Sequence, residues 1–214
     1  MLPMKLNTKI DTLVASLRMQ YDQIDFDRKV VLIDLSEIIT QELNFNKAVD
    51  LNFICTHNSR RSQLAQIWMK AAAIYFDIKN INTYSGGTEA TAFNHRMVTA
   101  LIDEGFELEK LDESENPKYK LNLSSEISHN IYFSKKYDHE TNPSSGSLAI
   151  MVCDDANESC PIVHGAKEKH SLTYKDPKAF DDSPKESKMY TEKVFEIGRE
   201  LLFLMENTAA ILNV

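Results

Sequence analysis

Cysteine is scarce in this sequence: the chain of 214 residues holds three. An odd number of thiols cannot close a disulfide framework. Basic residues are also few, since 24 lysines and arginines stand against 32 acidic residues and leave a formal net charge of -8. Non-specific nucleic-acid binding depends on basic patches that neutralise phosphates, so this balance argues against a nucleic-acid partner. Any anionic substrate must therefore be captured by a local site.

Long apolar runs are missing as well. No window of the sequence approaches the roughly 18 apolar residues that are needed to cross a bilayer, and residues 1–10 lack the apolar core of a signal peptide. These absences predict a cytoplasmic protein with no membrane partner. In a reducing compartment the three cysteines are candidates for chemistry rather than for structural disulfides.

What the chain does contain is enough apolar material for a core, since hydrophobic residues make up 43% of it. In residues 1–50 they recur at helical spacing on two faces, marked by Ile10, Leu13, Val14 and Leu17 and then by Leu32, Leu35, Ile39 and Leu43. We predict an N-terminal helical extension over 1–50, followed by one domain over 51–214. The apolar faces of the extension must be buried, either on the core, in a dimer or against another partner.

Beyond residue 50, strand and helix patterns alternate, which is typical of an α/β fold with a parallel sheet and helices on both faces. A stretch with little periodicity, at about 110–147, is predicted to be an insertion. The C-terminal helix should cover the sheet with one apolar stripe. The predicted elements are strand 51–56, helix 62–75, strand 81–85, a Gly86-Gly87 turn, helix 89–104, strand 106–108, strand 148–153, a polar loop at 154–159 and a short strand at 171–175.

The segment CTHNSRRS, from Cys55 to Ser62, lies between the first predicted strand and the helix after it. The N–H groups of such a turn and of a helix N-terminus point into one concavity and favour an anion there. They would also stabilise a cysteine thiolate, which is the nucleophilic form. Arg61 can offer a planar fork of donors to an oxyanion, and Ser62 can donate its hydroxyl to the sulfur. The plainer alternative is a helix start with a buried cysteine and a solvated arginine pair.

Four separated segments then resemble the low-molecular-weight protein tyrosine phosphatase superfamily and, within it, the thioredoxin-coupled arsenate reductases. They are Cys55 to Ser62, SGGTEATAFNHRMVTALIDEGFEL at 85–108, MVCDDANESCP at 151–161 and SLTYKDPKAF at 171–180. The resemblance covers 51–180 apart from 110–147. It implies a three-layer α/β/α fold with a four-stranded parallel sheet of order 2-1-3-4.

The resemblance also implies roles for the other two cysteines and for an aspartate. Cys55 would attack arsenate, and Asp176, aimed by Pro177, would protonate the departing oxygen. Cys153 would then attack the Cys55 sulfur, and Cys160 would resolve that disulfide for reduction by thioredoxin. The loop residues that would bind the oxyanion are Thr56, His57, Asn58, Ser59, Arg60, Arg61 and Ser62.

Several alternatives remain at this point. The same loop would serve a phosphatase acting on a phosphorylated substrate through a cysteinyl phosphate, or a non-enzymatic oxyanion sensor. Cys153 and Cys160 could be a core cysteine and a loop cysteine, whereas ligand spacing for a metal is missing. No cofactor is expected, nor a potassium site, because Gln66 stands where some relatives have a glutamate. His57 and Arg60 depart from the family pattern and add positive charge.

Overall fold

The computed structural model describes residues 5–124, 130–159 and 162–213, so Cys160 lies outside the described residues. The helices and strands alternate in the central part of the chain, and two helices precede them. The elements are α1 Thr8–Arg18, η1 Tyr21–Gln23, α2 Phe26–Asn46, β1 Val49–Cys55, α3 Arg61–Tyr75, β2 Ile81–Gly87, α4 His95–Asp103, β3 Glu107–Lys110, β4 Tyr119–Asn122, β5 Asn130–Tyr132, β6 Ser147–Met151, α5 Asp154–Ser159, β7 Ala166–Ser171, η2 Pro177–Phe180 and α6 Glu186–Leu212.

A four-stranded parallel sheet of order β2-β1-β6-β7 forms the middle layer of this three-layer α/β fold. Numbered within the sheet, this is the predicted order 2-1-3-4. Strand β1 is central and almost wholly buried, as expected for a parallel strand with both faces covered. Its register pairs Cys55 with Gly87 on one side and Ile54 with Met151 on the other, which puts the carboxyl ends of three strands at one edge.

The predicted turn at Gly86 and Gly87 is wrong, because both glycines are the last residues of β2. Their role is close approach between backbones. A Cβ on Gly86 would lie 2.2 Å from the Cα of Tyr137, and Gly87 exchanges backbone hydrogen bonds of 2.9 Å with Lys135 and Tyr137. Only glycine leaves room for the later segment to lie against the strand.

The helix predicted over 89–104 begins later, at His95, because Asn94 caps it: the Asn94 side chain accepts hydrogen bonds from the N–H groups of Arg96 and Met97. Residues 88–94 form a loop instead. That loop is tied to the Cys55 segment, since the Ser59 hydroxyl donates to the Ala92 carbonyl at 2.7 Å. Because Asn94 caps α4, the residues predicted to form the first turns of this helix form a loop beside the site instead.

Three other predicted elements differ. The strand after Gly105 does not join the parallel sheet; β3 forms a separate antiparallel sheet with β4 and β5, inside and beside the predicted insertion. The strand predicted at 171–175 lies at 166–171, where a polar sequence gives no apolar signal. Residues 154–159, predicted to be a loop, form the short helix α5.

The N-terminal helices lie on the core, and both contact α6. Ile10, Val14, Leu17, Leu32, Leu35 and Ile39 are buried, and Leu13 and Leu43 are partly buried against the same core. Within the described residues, these apolar faces are therefore buried against the core. None of the helices in 5–124, 130–159 and 162–213 combines the length and apolarity needed to cross a bilayer.

Helix α6 approaches α3 and α1 most closely at Gly198. A Cβ there would lie 2.5 Å from Cε2 of Trp68 and 3.0 Å from Cδ1 of Leu17. Because Trp68 is fully buried, it has no space to move into. Although alanine is the better helix former by about 1 kcal/mol, the overpacking should outweigh that gain.

We therefore expect Gly198→Ala to lower the free energy of unfolding by about 1 to 2 kcal/mol, measured by urea denaturation. Ser187→Ala, at an exposed position of α6, is the control and should change it by less than about 0.5 kcal/mol. Equal or greater stability of Gly198→Ala would contradict this account of the helix contact.

Candidate active site

The loop at residues 56–60 leaves the end of β1 and enters α3, and it wraps around the sulfur of Cys55. The Asn58 N–H donates to Cys55 Sγ at 3.2 Å, and Ser62 Oγ lies 3.1 Å from the same atom. Cys55 is buried. The sulfur therefore has hydrogen-bond partners in the loop and in the first turn of α3, although Cys55 also belongs to the buried core.

Asn58 holds this loop in shape. Its φ of +47° is in the left-handed region, which asparagine tolerates better than most residues. Its Oδ1 accepts from the backbone N–H of Lys135 at 2.9 Å, so the amide must direct Nδ2 the other way, where it donates to Ser62 Oγ at 2.8 Å. The Ser62 hydroxyl hydrogen is then left for the Cys55 sulfur.

Arg61, the first residue of α3, reaches across to the predicted acid. One terminal nitrogen of its guanidinium donates to the carbonyl of Tyr174 at 2.9 Å, and the other donates to Asp176 Oδ2 at 2.7 Å. Asp176 Oδ1 accepts from the N–H of Lys178 at 3.0 Å and so caps η2. The structure thus joins Arg61 directly to Asp176, 115 residues later in the chain.

The two departures from the family pattern have different surroundings. Arg60 Nε donates to the Tyr190 hydroxyl at 2.8 Å, and its terminal nitrogen pairs with Asp181 at 3.3 Å. Burial raises the pKa of Tyr190 to about 12, so this hydroxyl stays protonated and can also donate to Asp181. His57 is about half exposed, and its Nε2 lies 3.6 Å from Glu89. Arg60 therefore holds the loop through its contacts with Tyr190 and Asp181, whereas His57 lies at the exposed edge of the loop.

Thr56 and Ser59 direct their side chains away from the Cys55 sulfur. Thr56 Oγ1 lies 3.5 Å from Cys153 Sγ, and the Ser59 hydroxyl is occupied by Ala92. These two residues contribute hydroxyls that fasten the loop to its neighbours. The residues of the predicted oxyanion loop thus lie close together, but their side chains have different contacts.

An open cleft of about 600 Å³ lies over this loop. It combines the predicted loop with the Asp176 turn and with the first turn of α5, and its charge is mixed. The residues that line it are Thr56, His57, Arg60, Arg61, Asp154, Asp155, Tyr174, Lys175, Asp176, Lys178 and Ala179. Among these described residues, Tyr174 is the one tyrosine, phenylalanine or tryptophan.

Cys153 is fully buried just before α5, and the N–H of Ala156 approaches its sulfur at 3.4 Å. The β1–β6 register ends at Ile54 and Met151, so Cys55 and Cys153 follow the last paired residues of two neighbouring strands by one and two positions. The Cys153 sulfur lies beside the loop, 3.5 Å from Thr56 Oγ1. Cys160, the third predicted thiol, lies outside the described residues. Within the described residues no group of three or more His, Cys, Asp or Glu side chains could hold a metal ion.

The insertion supplies contacts that the sequence did not indicate. Besides the Lys135 N–H on Asn58, the Ser134 hydroxyl donates to the carbonyl of His57 at 2.8 Å, and Gln63 Nε2 donates to the carbonyl of Phe133 at 2.8 Å. Residues 70 to 77 positions away thus fix the loop and the start of α3, Ser134 by its hydroxyl and the other two by backbone groups. Because nearly every residue has an N–H and a carbonyl, no local sequence signal could have identified the contacts of Phe133 and Lys135.

Comparison with known proteins agrees with this geometry. The chain is 30% identical over 125 residues to arsenate reductase 2 of Staphylococcus epidermidis, which covers 58% of this chain and 76% of that protein. It is 26% identical over 155 residues to the arsenate reductase of Bacillus licheniformis, covering 70% and 89% of the two chains. No protein-family model matches the chain.

Solved structures with a similar course of the chain include a mutant of YwlE from Bacillus subtilis, at 17% identity, with a TM-score of 0.49 and coverage of 74% of this chain and 97% of the other. Another is the low-molecular-weight protein tyrosine phosphatase of T. tengcongensis, at 16% identity, with a TM-score of 0.48 and coverage of 74% and 99%.

The sequence relatives and the Cys55 thiol, which accepts a loop N–H at the end of a parallel strand, identify a thiol-dependent enzyme. The chain belongs to the same family as its sequence relatives, which are arsenate reductases.

The Ser62 hydroxyl can be tested through the reactivity of Cys55. In a Cys153→Ser/Cys160→Ser background, Cys55 is the single thiol, so iodoacetamide reports on it alone. The Ser62→Ala variant lacks the hydroxyl that donates to the Cys55 sulfur. We therefore expect it to be alkylated about five- to tenfold more slowly than the background protein at pH 7.

The control is Thr88→Val, which removes a hydroxyl that donates to the carbonyl of Thr56 at 3.2 Å and does not contact the sulfur. Its alkylation rate should stay within about twofold of the background protein. If Ser62→Ala and Thr88→Val react equally fast, the hydroxyl does not act on the thiol.

Lys135 gives a prediction about pH. Its side chain is buried over the ring of Phe133, and burial lowers the pKa of its ammonium from 10.5 to about 8. Between pH 8 and 10.5 Lys135 is largely protonated in the unfolded chain and largely neutral in the folded protein. The contribution of this group to the free energy of unfolding therefore rises with pH over this range. Below pH 8 the buried charge is a constant destabilisation.

We therefore expect Lys135→Met to be more stable than the wild type at pH 7, by on the order of 1 to 3 kcal/mol, and to lose that advantage between pH 8 and 10. Urea denaturation at pH 7, 8, 9 and 10 measures the difference. Lys136→Met, at the exposed neighbouring position, should show a small difference that does not change with pH. A constant advantage of Lys135→Met would mean that the lysine stays charged.

Proposed function

We propose that the protein is an arsenate reductase that works through a thiol relay from Cys55 to Cys153 and Cys160. The observation that carries the proposal is the position of Cys153, which follows the strand beside β1 and has its sulfur 3.5 Å from Thr56 Oγ1 of the loop. A phosphoester hydrolase needs one thiol, whereas a two-electron reduction needs a second thiol close by. The names of the sequence relatives support the same choice.

The first step is nucleophilic attack at arsenic. The Cys55 thiolate forms a sulfur–arsenic bond, an arsenic–oxygen bond breaks, and Asp176 gives the departing oxygen its proton so that it leaves as water. The loop N–H groups and Arg61 hold the remaining oxygens. Asp176 is suited to this part because it lines the cleft, while Arg61, the Lys178 N–H and, at 3.9 Å, Arg60 hold its carboxyl group in place.

The second step moves the electrons. The Cys153 thiolate attacks the Cys55 sulfur, a disulfide forms, and the sulfur–arsenic bond breaks with its electron pair left on arsenic, which leaves as arsenite. Cys160 then attacks the Cys153 sulfur and frees Cys55 as a thiolate. The Cys153–Cys160 disulfide is reduced by a dithiol protein of the thioredoxin class, which requires a reducing compartment such as the cytoplasm.

Helix α5 occupies the segment between the two thiols of the last exchange. A disulfide requires Cα atoms less than about 7 Å apart, so this segment has to adopt disulfide geometry when Cys153 and Cys160 are oxidised. Residues 154–159 are polar apart from Ala156, which is buried, so few apolar contacts oppose unwinding.

Phosphatase action on a phosphorylated substrate is the second candidate, since the same loop would bind a phosphoryl group. The cleft argues for a small oxyanion instead. Lys175, Lys178 and Ala179 stand at its edge, and among the described lining residues the one large aromatic ring belongs to Tyr174. A phosphotyrosine ring would find little apolar surface to stack on.

The test is arsenate-dependent NADPH consumption in the presence of thioredoxin and thioredoxin reductase. We expect the wild type to turn over many times, and Cys160→Ser to stop after about one turnover because the first disulfide is not resolved. Cys153→Ser should release no arsenite.

Hydrolysis of an aryl phosphate by the same three proteins is the control. Equal hydrolysis by all three, together with no arsenate turnover by the wild type, would make the protein a phosphatase with two spectator thiols.

A further inference from the structure

We propose that Arg28, in helix α2 of the N-terminal extension, is a positioning residue that holds the segment carrying Asp176 in place. The inference rests on the proposed function, because it assigns Asp176 the role of the acid. It gives the extension a part in the reaction, although Arg28 itself does not line the cleft over the loop.

Arg28 makes three contacts, and all of them lie outside the extension. Its Nε donates to Glu200 of α6 at 2.8 Å, and its terminal nitrogen donates to the carbonyl of Thr173 at 3.1 Å. The guanidinium carbon lies 4.6 Å from the centre of the Tyr174 ring. A planar fork can bond two acceptors and stack on a ring at once, which an ammonium group cannot do.

The same short segment is bonded to the candidate active site on its other side. The carbonyl of Tyr174 accepts from Arg61, which in turn bonds to Asp176. In extended backbone, successive carbonyls point in opposite directions, so Thr173 faces Arg28 while Tyr174 faces Arg61. The two arginines therefore hold adjacent peptide groups from opposite sides.

The segment is held along its length as well. The N–H groups of Leu172 and Tyr174 donate to the carbonyls of Met151 and Val152 at 2.9 and 3.2 Å, next to Cys153. After Tyr174 two residues remain before the Pro177 turn, so a displacement of Tyr174 reaches the Asp176 carboxyl directly. Loss of Arg28 would free the Thr173 carbonyl and the Tyr174 ring together.

Glu200 explains why Arg28 is fixed. It is buried, and burial raises the pKa of its carboxyl, while the Arg28 guanidinium opposes that shift. The two opposite charges compensate each other, so each holds the other in place. On the other side of the Tyr174 ring, Lys193 lies 6.0 Å from its centre and pairs with Glu196.

The chain offers a matched control on the same extension. Arg18 of α1 also pairs with a glutamate of α6, Glu206, and contacts Tyr75, but none of these residues touches the 173–176 segment. Arg18→Met and Arg28→Met therefore each remove one arginine–glutamate pair between the extension and α6. A purely structural role predicts the same consequences for both.

The first measurement is hydrogen exchange of the full chain, read by mass spectrometry, and it needs no substrate. In Arg28→Met, peptides that cover 172–178 should exchange at least about tenfold faster than in the wild type, whereas in Arg18→Met they should not. Arg28→Lys, which keeps the positive charge beside Glu200, and Arg28→Met/Glu200→Gln, which leaves no unpaired carboxylate, serve if Arg28→Met does not fold.

The second measurement is steady-state arsenate reduction with thioredoxin. A misplaced acid should lower kcat about tenfold or more at nearly constant KM in Arg28→Met, and the kcat of Arg28→Lys should fall between those of Arg28→Met and the wild type. Arg18→Met should keep the wild-type kcat. The pH profile of kcat in Arg28→Met should approach that of Asp176→Asn, which a general loss of stability would not produce.

Equal exchange over 172–178 in the two methionine variants, or equal kcat values, would overturn the positioning role. If the wild type reduces no arsenate, the proposed function fails, and the exchange experiment alone then decides whether Arg28 holds the segment.

Discussion

The fork of Arg61 is the interaction on which the site depends. It begins α3, so its backbone belongs to the loop around Cys55, while its two terminal nitrogens bond to Tyr174 and Asp176. One side chain thus fixes the distance between a strand end, a helix start and a turn that lie far apart in sequence. Because the guanidinium is planar and always charged, it can donate to both acceptors at once.

The N-terminal helices contact the same segment that Arg61 contacts. Arg28 bonds to the carbonyl next to the one that Arg61 uses, and Gly198 of α6 allows Trp68 and Leu17 to meet. The extension therefore does more than cover apolar surface: its contacts with α6 and the 173–174 segment reach the edge of the cleft. An element added before the first strand can influence a site at the carboxyl end of the sheet because α6 lies between them.

The sequence predicted the parts of this protein whose signal is local. The apolar periodicity of Ile10 to Leu17, the buried strand before Cys55 and the Asp-Pro turn each involve a few neighbouring residues, and the family resemblance supplied the sheet order. The sequence-based prediction failed where contacts with backbone groups far away in the chain determine the structure. Gly86 and Gly87 continue a strand because the Tyr137 segment lies against them, and the Lys135 N–H fixes Asn58 from an insertion with no recognisable pattern.

Helix α5 shows how a weak element can serve the proposed relay. Asp154 and Asp155 in its first turn favour the helix through its dipole, and Lys169 donates to the carbonyl of Asn157 at 2.7 Å. These polar contacts hold residues 154–159 in a helix, and Ala156 is its buried apolar residue. The proposed relay requires a Cys153–Cys160 disulfide, so the segment between the two cysteines has to adopt disulfide geometry. An element held by a few polar contacts can unwind at a lower cost in free energy than a helix with an apolar face packed on the core.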